Sequence, residues 1–185
     1  MSATEFALTR KLEQLPTGNI YLPEATVVSS TGQFYVSSGN GSILEIDPVK
    51  KVYRHVVHTG GRPLGMKFGK DGRLLVADAL VGLLAVDLNT KSIEILCNYV
   101  EGRPVRFANS VTVTKDGTIY FSDSGDIAPM QQLDGNYGTH HSAVVQILVA
   151  NPTGRLIKID PVTKKASVVV KDMNFANGVA LSSDE

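Results

Sequence analysis

The sequence predicts an all-β chain with the repeating architecture of a β-propeller. One unit of 25 residues aligns without gaps at residues 23–47 and 63–87 and begins again at Ala108 and Ala176. Its turn glycines recur 40 to 45 residues apart, which is the spacing of four-stranded propeller blades. Apolar residues in each unit follow the period of two that is typical of strands. We find no convincing helical periodicity in any segment.

The strands of each unit are predicted in order from their turns. Lys70-Asp71-Gly72 and Lys115-Asp116-Gly117 separate runs of alternating apolar residues and therefore indicate turns between the first two strands of a blade. Residues 74–77 and 83–86 are apolar on both faces, as expected of strands stacked between neighbouring sheets. A fourth short strand is predicted in each unit, at residues 51–57, 92–96 and 166–170.

The third unit carries an insertion. In the first two units an aspartate follows the turn glycine by 15 residues, at Asp47 and Asp87. In the third unit this aspartate is Asp160, 43 residues after Gly117, which leaves an insertion of 28 residues, roughly 125–151. Because the second strand returns to the end where the first one started, the insertion is expected to cover the rim at which each unit begins.

Two regions are predicted along the chain. Residues 1–21 form an N-terminal segment, in which residues 6–12 are a candidate outer strand for closing the propeller ring. Residues 22–185 form an incomplete propeller domain of about three blades plus one strand. The blades start near residues 23, 63, 108 and 176.

Composition excludes several classes of partner and site. The chain has 185 residues with 18 Lys and Arg against 18 Asp and Glu, and this balance argues against a nucleic acid or an anionic membrane as the main partner. The single cysteine, Cys97, excludes an internal disulfide and a cysteine-ligated zinc site. The first ten residues lack the apolar segment of a secretory signal, and apolar runs such as residues 147–150 are too short to span a membrane.

Four equivalent positions are expected to converge on one rim of the propeller. Each lies at the same offset within its unit: Glu24, Leu64, Asn109 and Asn177. The one carboxylate and two amides among them suit a hard cation such as Ca²⁺ and suit zinc or copper poorly. A cation held there would polarise an ester or lactone carbonyl. The alternative is that both asparagines only hydrogen-bond strand ends.

Two further pairs of residues stand out. His140 and His141 lie in the insertion and are candidates for substrate access, as a general base or a ligand. The alternative is a solvated pair in a polar loop. Asp78 and Asp123, each six residues after a turn glycine, are predicted to cap the second strand by accepting backbone N–H groups. The chain lacks a G-x-S-x-G motif, which argues against a serine hydrolase of that class.

Four stretches of the chain resemble the strictosidine synthase-like family. They are GRPLGMKFGKDGRLLVADALVGLLAVD, FANSVTVTKDGTIYFSDS, GRLIKIDPVTKKASVVVKD and NFANGVALSSDE. The resemblance runs from about Leu22 to Glu185. It extends to adipocyte plasma membrane-associated proteins and, more distantly, to paraoxonases and the gluconolactonase/regucalcin group. It implies a six-bladed propeller, of which this chain is an N-terminal portion, in a family that is often secretory or membrane-anchored.

The resemblance also implies a metal site. The metal-dependent relatives hold Ca²⁺ or another divalent ion with a Glu that opens the first blade and Asn residues that open later ones. Glu24, Asn109 and Asn177 match these positions one by one. In the full-length protein this implies a metal-assisted esterase or lactonase, of the arylesterase type, that acts on a small molecule.

Two other functions stay open beside hydrolysis. One is the amine–aldehyde condensation of strictosidine synthase, whose catalytic Glu lies in a late blade, beyond Glu185. The other is a non-catalytic propeller that binds a partner on its rim. The chain also departs from paraoxonases, because Leu64 stands where they carry a histidine.

Overall fold

The computed structural model describes residues 20–150 and 152–185, and its main elements are three antiparallel sheets of four strands each. The candidate strand at residues 6–12 lies outside the described residues. The first sheet, in the order β1-β2-β3-β4, comprises Thr26–Val28, Phe34–Ser37, Ser42–Asp47 and Val52–His58. The second sheet, in the order β5-β6-β7-β8, comprises Pro63–Phe68, Leu74–Asp78, Gly82–Val86 and Ile93–Cys97.

The third sheet is built around the insertion. A two-stranded ladder of β9, Tyr99–Val100, and β10, Arg103–Pro104, precedes it. Then follow β11 (Ala108–Val113), β12 (Ile119–Asp123), β13 (Met130–Gln131), β14 (Tyr137–Gly138), α1 (Thr139–Val149), β15 (Gly154–Ile159) and β16 (Ala166–Met173). Strands β11, β12, β15 and β16 form the sheet, and β13 pairs with β14 as a small hairpin. The three sheets are the predicted blades.

Each blade has two ends that matter for function. We call the end where β1, β5 and β11 begin the upper rim, and the opposite end the lower rim. The turns between first and second strands lie at the lower rim and contain Gly32, Gly72 and Gly117, with φ between 81° and 97°. This left-handed conformation favours glycine, which has no Cβ to clash with the backbone.

The core consists of two apolar layers, one on each face of the middle sheet. In β6, Leu74 and Val76 belong to the layer shared with the first sheet. Leu75 and Ala77 belong to the layer shared with the third sheet, where they join Phe121. Successive side chains of a strand point to opposite faces, so β6 must be apolar throughout. The predicted two-faced apolar strands are thereby confirmed.

The capping role predicted for the two second-strand aspartates is confirmed. Asp78 Oδ1 accepts three backbone N–H groups at 2.9 to 3.1 Å, from Arg62, Leu80 and Val81. Asp123 Oδ1 accepts the N–H groups of Arg106 and Phe107. Its Oδ2 pairs with the buried Arg155 guanidinium at 2.5 Å. These bonds fix the loops of the upper rim to the blades.

The helix α1 corrects the expectation that the chain lacks helical segments. Its packed face is polar: Ser142 Oγ donates to Ala128 O at 2.7 Å, and Gln146 Nε2 donates to Thr153 Oγ1 at 3.1 Å. Four of its apolar residues are exposed instead: Val144, Ile147, Leu148 and Val149. An apolar stripe, the usual sequence signal of a surface helix, is therefore missing from its packed face.

The start of the fourth unit follows the third blade without forming a strand. Ala176 O accepts Ser124 Oγ at 2.6 Å, and Val179 N donates to Ser110 Oγ at 3.2 Å. These contacts hold the segment beside β11 and β12, where a fourth inner strand was expected. Within the described residues, this segment pairs with no strand.

Candidate functional site

The structure places the four rim positions one after another at the upper rim. Glu24 lies two residues before β1, and its N–H donates to Ser37 O at 3.3 Å. Leu64 and Asn109 are the second residues of β5 and β11, and β5 packs against both β1 and β11. Asn177 lies in the segment beside the third blade. The four residues therefore lie at or just before the starts of successive units, and their convergence on one ligand stays a prediction.

Two buried serines connect these inner strands, and sequence analysis did not identify them. Ser37 Oγ accepts the N–H of the residue before β1 at 2.9 Å and donates to Leu64 O at 3.0 Å. Ser122 Oγ accepts an N–H of β11 at 3.1 Å and donates to Asn177 O at 2.6 Å. Both serines lie five residues after their turn glycine, where the second unit has Ala77. This shared offset is the signal that could have found them.

Asn109 is held in one orientation by a hydroxyl. Its Nδ2 donates to Ser124 Oγ at 3.1 Å, and Ser124 Oγ donates its own hydrogen to Ala176 O at 2.6 Å. Because that hydrogen is already used, the hydroxyl can only accept from Asn109. The amide oxygen is left without a hydrogen bond among the described residues, so it is available to a ligand.

A buried guanidinium lies beside Glu24. Arg62 is 1% exposed; its Nη2 donates to Leu22 O at 3.2 Å and its Nη1 to Pro63 O at 3.0 Å. Its Nε has no hydrogen-bond partner within the described part of the chain. Burial lowers the pKa of Arg62, and the charges of Glu24 and Asp78 oppose this effect. The carboxylates of Glu24 and Asp78 thus favour the charged form of this guanidinium.

The oxygen donors at the rim fit a hard cation better than a soft one. Among residues 20–150 and 152–185, no group of three or more His, Cys, Asp and Glu side chains could hold a metal ion. A site here would depend on the amide oxygens of Asn109 and Asn177 beside the carboxylate of Glu24. Glu24 and Asn177 are exposed at the rim. Carboxylate and amide oxygens are ligands that Ca²⁺ accepts.

The insertion reaches across the upper rim to the first blade. Tyr21 donates its hydroxyl hydrogen to Gln132 Oε1 at 3.0 Å. Burial and the nearby Asp134 carboxylate raise the pKa of this hydroxyl. His140 and His141 lie exposed in the first turn of α1. No hydrogen bond or ion pair of the described structure joins either histidine to the three oxygen-bearing rim residues, so the two sets remain separate.

In the described part of the chain, clefts lie near the second and third blades at both rims. The larger, about 420 Å³, is at the lower rim, at the opposite end of the strands from Asn109. Its charges are largely engaged within the fold: Arg73 pairs with Asp71 and Glu94, and Asp160 accepts two turn N–H groups. The smaller cleft, about 260 Å³, opens at the upper rim beside Arg106. Position therefore favours the smaller one as the cleft that serves the candidate site.

Comparison with known proteins identifies related sequences. The strictosidine synthase family model matches residues 109–185, and the strictosidine synthase-like N-terminal model matches residues 9–46. Protein strictosidine synthase-like 6 of Arabidopsis thaliana is 40% identical over 131 residues, which are 70% of this chain and 32% of that protein. Adipocyte plasma membrane-associated protein of Mus musculus is 37% identical over 131 residues, 69% of this chain and 29% of the relative. The chain thus spans about a third of the length of these relatives.

Solved structures confirm the propeller. A gluconolactonase from Xanthomonas campestris superposes with a TM-score of 0.60 at 12% identity, covering 80% of this chain and 47% of that one. A streptogramin B lyase gives a TM-score of 0.59 at 14% identity, covering 89% of this chain and 46% of the lyase. At these identities the likeness establishes the fold alone. Separately, the described part of the chain contains no helix that is long and apolar enough to span a membrane.

Proposed function

The chain belongs to the strictosidine synthase-like family, and on that premise we propose that it forms the metal-holding rim of a propeller that hydrolyses esters or lactones. Glu24, Asn109 and Asn177 would hold the ion, with Ca²⁺ as the expected species. The observation that supports this most directly is the Asn109 amide, whose nitrogen is bound to Ser124 while its oxygen is left available.

The neighbouring residues give each proposed ligand a distinct role. Glu24 supplies the negative charge, and its carboxylate makes no ion pair with any residue that the structure describes. Asn109 supplies an amide oxygen that is fixed before any ligand arrives, which reduces the entropy lost on binding. The backbone of Asn177 is fixed by Ser122, so its exposed side chain starts from a defined position on the rim.

The reaction class follows from the donor set and the relatives. When bound, a divalent cation polarises the substrate carbonyl and stabilises the oxyanion that forms. The fold of a gluconolactonase, a lactone-cleaving enzyme by its name, superposes on this chain. Leu64, 2% exposed, offers no base at the fourth rim position. The insertion that reaches Tyr21 would limit access to the rim, with His140 and His141 at the start of its helix.

Amine–aldehyde condensation is the second candidate. The match of residues 109–185 to the strictosidine synthase model favours it. Condensation of this type requires no metal at the rim, so dependence on Ca²⁺ separates the two functions.

The test is hydrolysis by protein expressed from the complete coding sequence. Phenyl acetate and δ-gluconolactone would be assayed in Ca²⁺ and in EGTA, with Glu24→Gln and Asn109→Leu as variants. Asn89→Ala, which changes an exposed asparagine on a lower-rim turn, is the matched control. We expect Ca²⁺-dependent hydrolysis that falls by about a hundredfold in both variants and is unchanged in the control.

Two results would overturn the proposal. One is hydrolysis that is equally fast in EGTA, or equally fast in the Glu24 and Asn109 variants. The other is a product of tryptamine and an aldehyde formed in EGTA without any ester or lactone hydrolysis, which would select condensation instead.

A further inference from the structure

We infer that the upper-rim cleft at Arg106 binds the carboxylate of a small molecule. This inference rests on the proposed function in one respect, because it names the class of substrate that would bind at the same rim. The cleft has a volume of about 260 Å³. Its remaining lining residues are Leu80, Val81, Asn98, Pro104, Val105 and Ala128.

The cleft is assembled from three separate parts of the upper rim. Leu80 and Val81 follow the capping aspartate of the second blade, and Asp78 Oδ1 fixes both of their N–H groups. Val105 lies in the segment between β10 and β11, and its N–H donates to Asn98 O at 2.8 Å. Ala128 comes from the insertion. Its carbonyl oxygen accepts the hydroxyl hydrogen of Ser142 in α1. Each of the three parts is therefore held by a hydrogen bond before a ligand binds.

Arg106 differs from the two other arginines near it. Arg103 is paired with Asp126, at 2.9 and 3.0 Å to the two carboxylate oxygens, and Arg155 is paired with Asp123. The guanidinium of Arg106 has no ion pair or hydrogen bond to any residue that the structure describes. Its backbone is nevertheless fixed, because its N–H bonds Asp123 Oδ1 at 3.3 Å. A free guanidinium on a fixed backbone is thus the one unpaired positive charge lining the cleft.

The chemistry of the lining selects a carboxylate. A guanidinium binds a carboxylate through two parallel hydrogen bonds. The side chain of Asn98, which makes no hydrogen bond within the described structure, can donate a further one. Arg106 precedes Asn109 by three residues, just before β11 begins. The ligand would therefore lie on the rim of the proposed ester site.

The experiment measures binding rather than turnover. Isothermal titration calorimetry in EGTA would compare phenylacetate with phenylacetamide, which has the same shape without the charge. We expect the unmodified chain to bind phenylacetate about tenfold tighter than the amide. Arg106→Met should remove this preference while keeping the aliphatic stem. Lys165→Met, which removes an exposed positive charge at the lower rim, should leave it intact.

The inference is overturned if neither compound binds, if both bind equally, or if Arg106→Met keeps the preference. Because EGTA removes divalent ions, failure of the metal proposal leaves this result unaffected. A carboxylate preference without Ca²⁺-dependent hydrolysis would support the cleft and reject the proposed function; the reverse outcome would reject the cleft alone.

Discussion

The hydroxyl of Tyr21 donates to Oε1 of Gln132 at 3.0 Å, joining residues that are 111 positions apart in the chain. Tyr21 lies just before the first blade, and Gln132 lies at the tip of the β13–β14 hairpin in the third. The bond is therefore the contact by which the insertion is attached to the far side of the upper rim.

Removal of this hydroxyl should loosen the hairpin without unfolding the blades. In Tyr21→Phe we expect faster amide hydrogen exchange at Gln132 and Gly135, whose N–H groups bond within the hairpin. Without the Tyr21 hydroxyl, the hairpin can open locally without breaking a hydrogen bond to the first blade, so opening costs less free energy. Exchange in β6 should not change. Tyr99→Phe, at an exposed tyrosine, is the control. Identical hairpin exchange in both variants would mean that the bond does not hold the insertion.

Gly65 lies where two inner strands approach each other closely. A Cβ at Gly65 would lie 2.6 Å from Asn109 O and 2.7 Å from Ser110 Cα, so β5 and β11 would have to separate. We expect Gly65→Ala to lower the free energy of unfolding by about 1–3 kcal/mol, measured by urea denaturation. Gly178 has the same place in its unit but no heavy atom within 4 Å of an added Cβ. Equal effects of Gly65→Ala and Gly178→Ala would contradict the close approach.

Ser122 should contribute measurably to stability. Its buried hydroxyl both accepts from β11 and donates to Asn177 O, so Ser122→Ala leaves two backbone groups without partners. The expected loss is about 1–3 kcal/mol in chemical denaturation. Ser30→Ala, at an exposed serine, should change stability by less than about 0.5 kcal/mol. If Ser122→Ala were as stable as Ser30→Ala, the claim that Ser122 stabilises the chain by connecting these strands would be wrong.

Asp116 should make the chain lose stability in acid. Hydrogen bonds from the Thr114 hydroxyl and from the Thr118 N–H and hydroxyl lower the pKa of Asp116 from 3.8 to about 2. Because the folded pKa is the lower one, this stabilisation is complete above about pH 4 and is lost as the pH falls towards about 2. Thermal unfolding of Asp116→Asn should therefore depend less on pH across this window. Asp172→Asn, at an exposed carboxylate, is the control, and identical pH profiles would contradict the assignment.

Features that depend on neighbours in the chain could be predicted from the sequence. Asp47, Asp87 and Asp160 each accept the N–H groups of the residues two and three positions later, as expected of turn aspartates. The alternation in β6 indicated its two buried faces. Both patterns result from backbone geometry, which a short window of sequence contains.

Features that depend on distant partners could not be predicted. The tripeptide Gly-Arg-Pro occurs twice, yet Arg62 is buried beside Glu24, whereas Arg103 is half-exposed and pairs with Asp126. The difference comes from surroundings supplied by other blades. Likewise, the available oxygen of Asn109 depends on Ser124, whose hydrogen is used by a carbonyl 52 residues away. The metal ligands themselves remain a prediction.

Thermal unfolding of the purified chain, with Ca²⁺ and with EGTA, would show whether the upper rim binds a cation. A ligand that binds only the native state raises its stability, by about 2.7 kcal/mol at a hundred times the Kd. We predict a cooperative transition that moves to higher temperature in Ca²⁺, and no such shift in Asn109→Leu. A transition at the same temperature in Ca²⁺ and EGTA would contradict the claim that Glu24, Asn109 and Asn177 form a cation site on this rim.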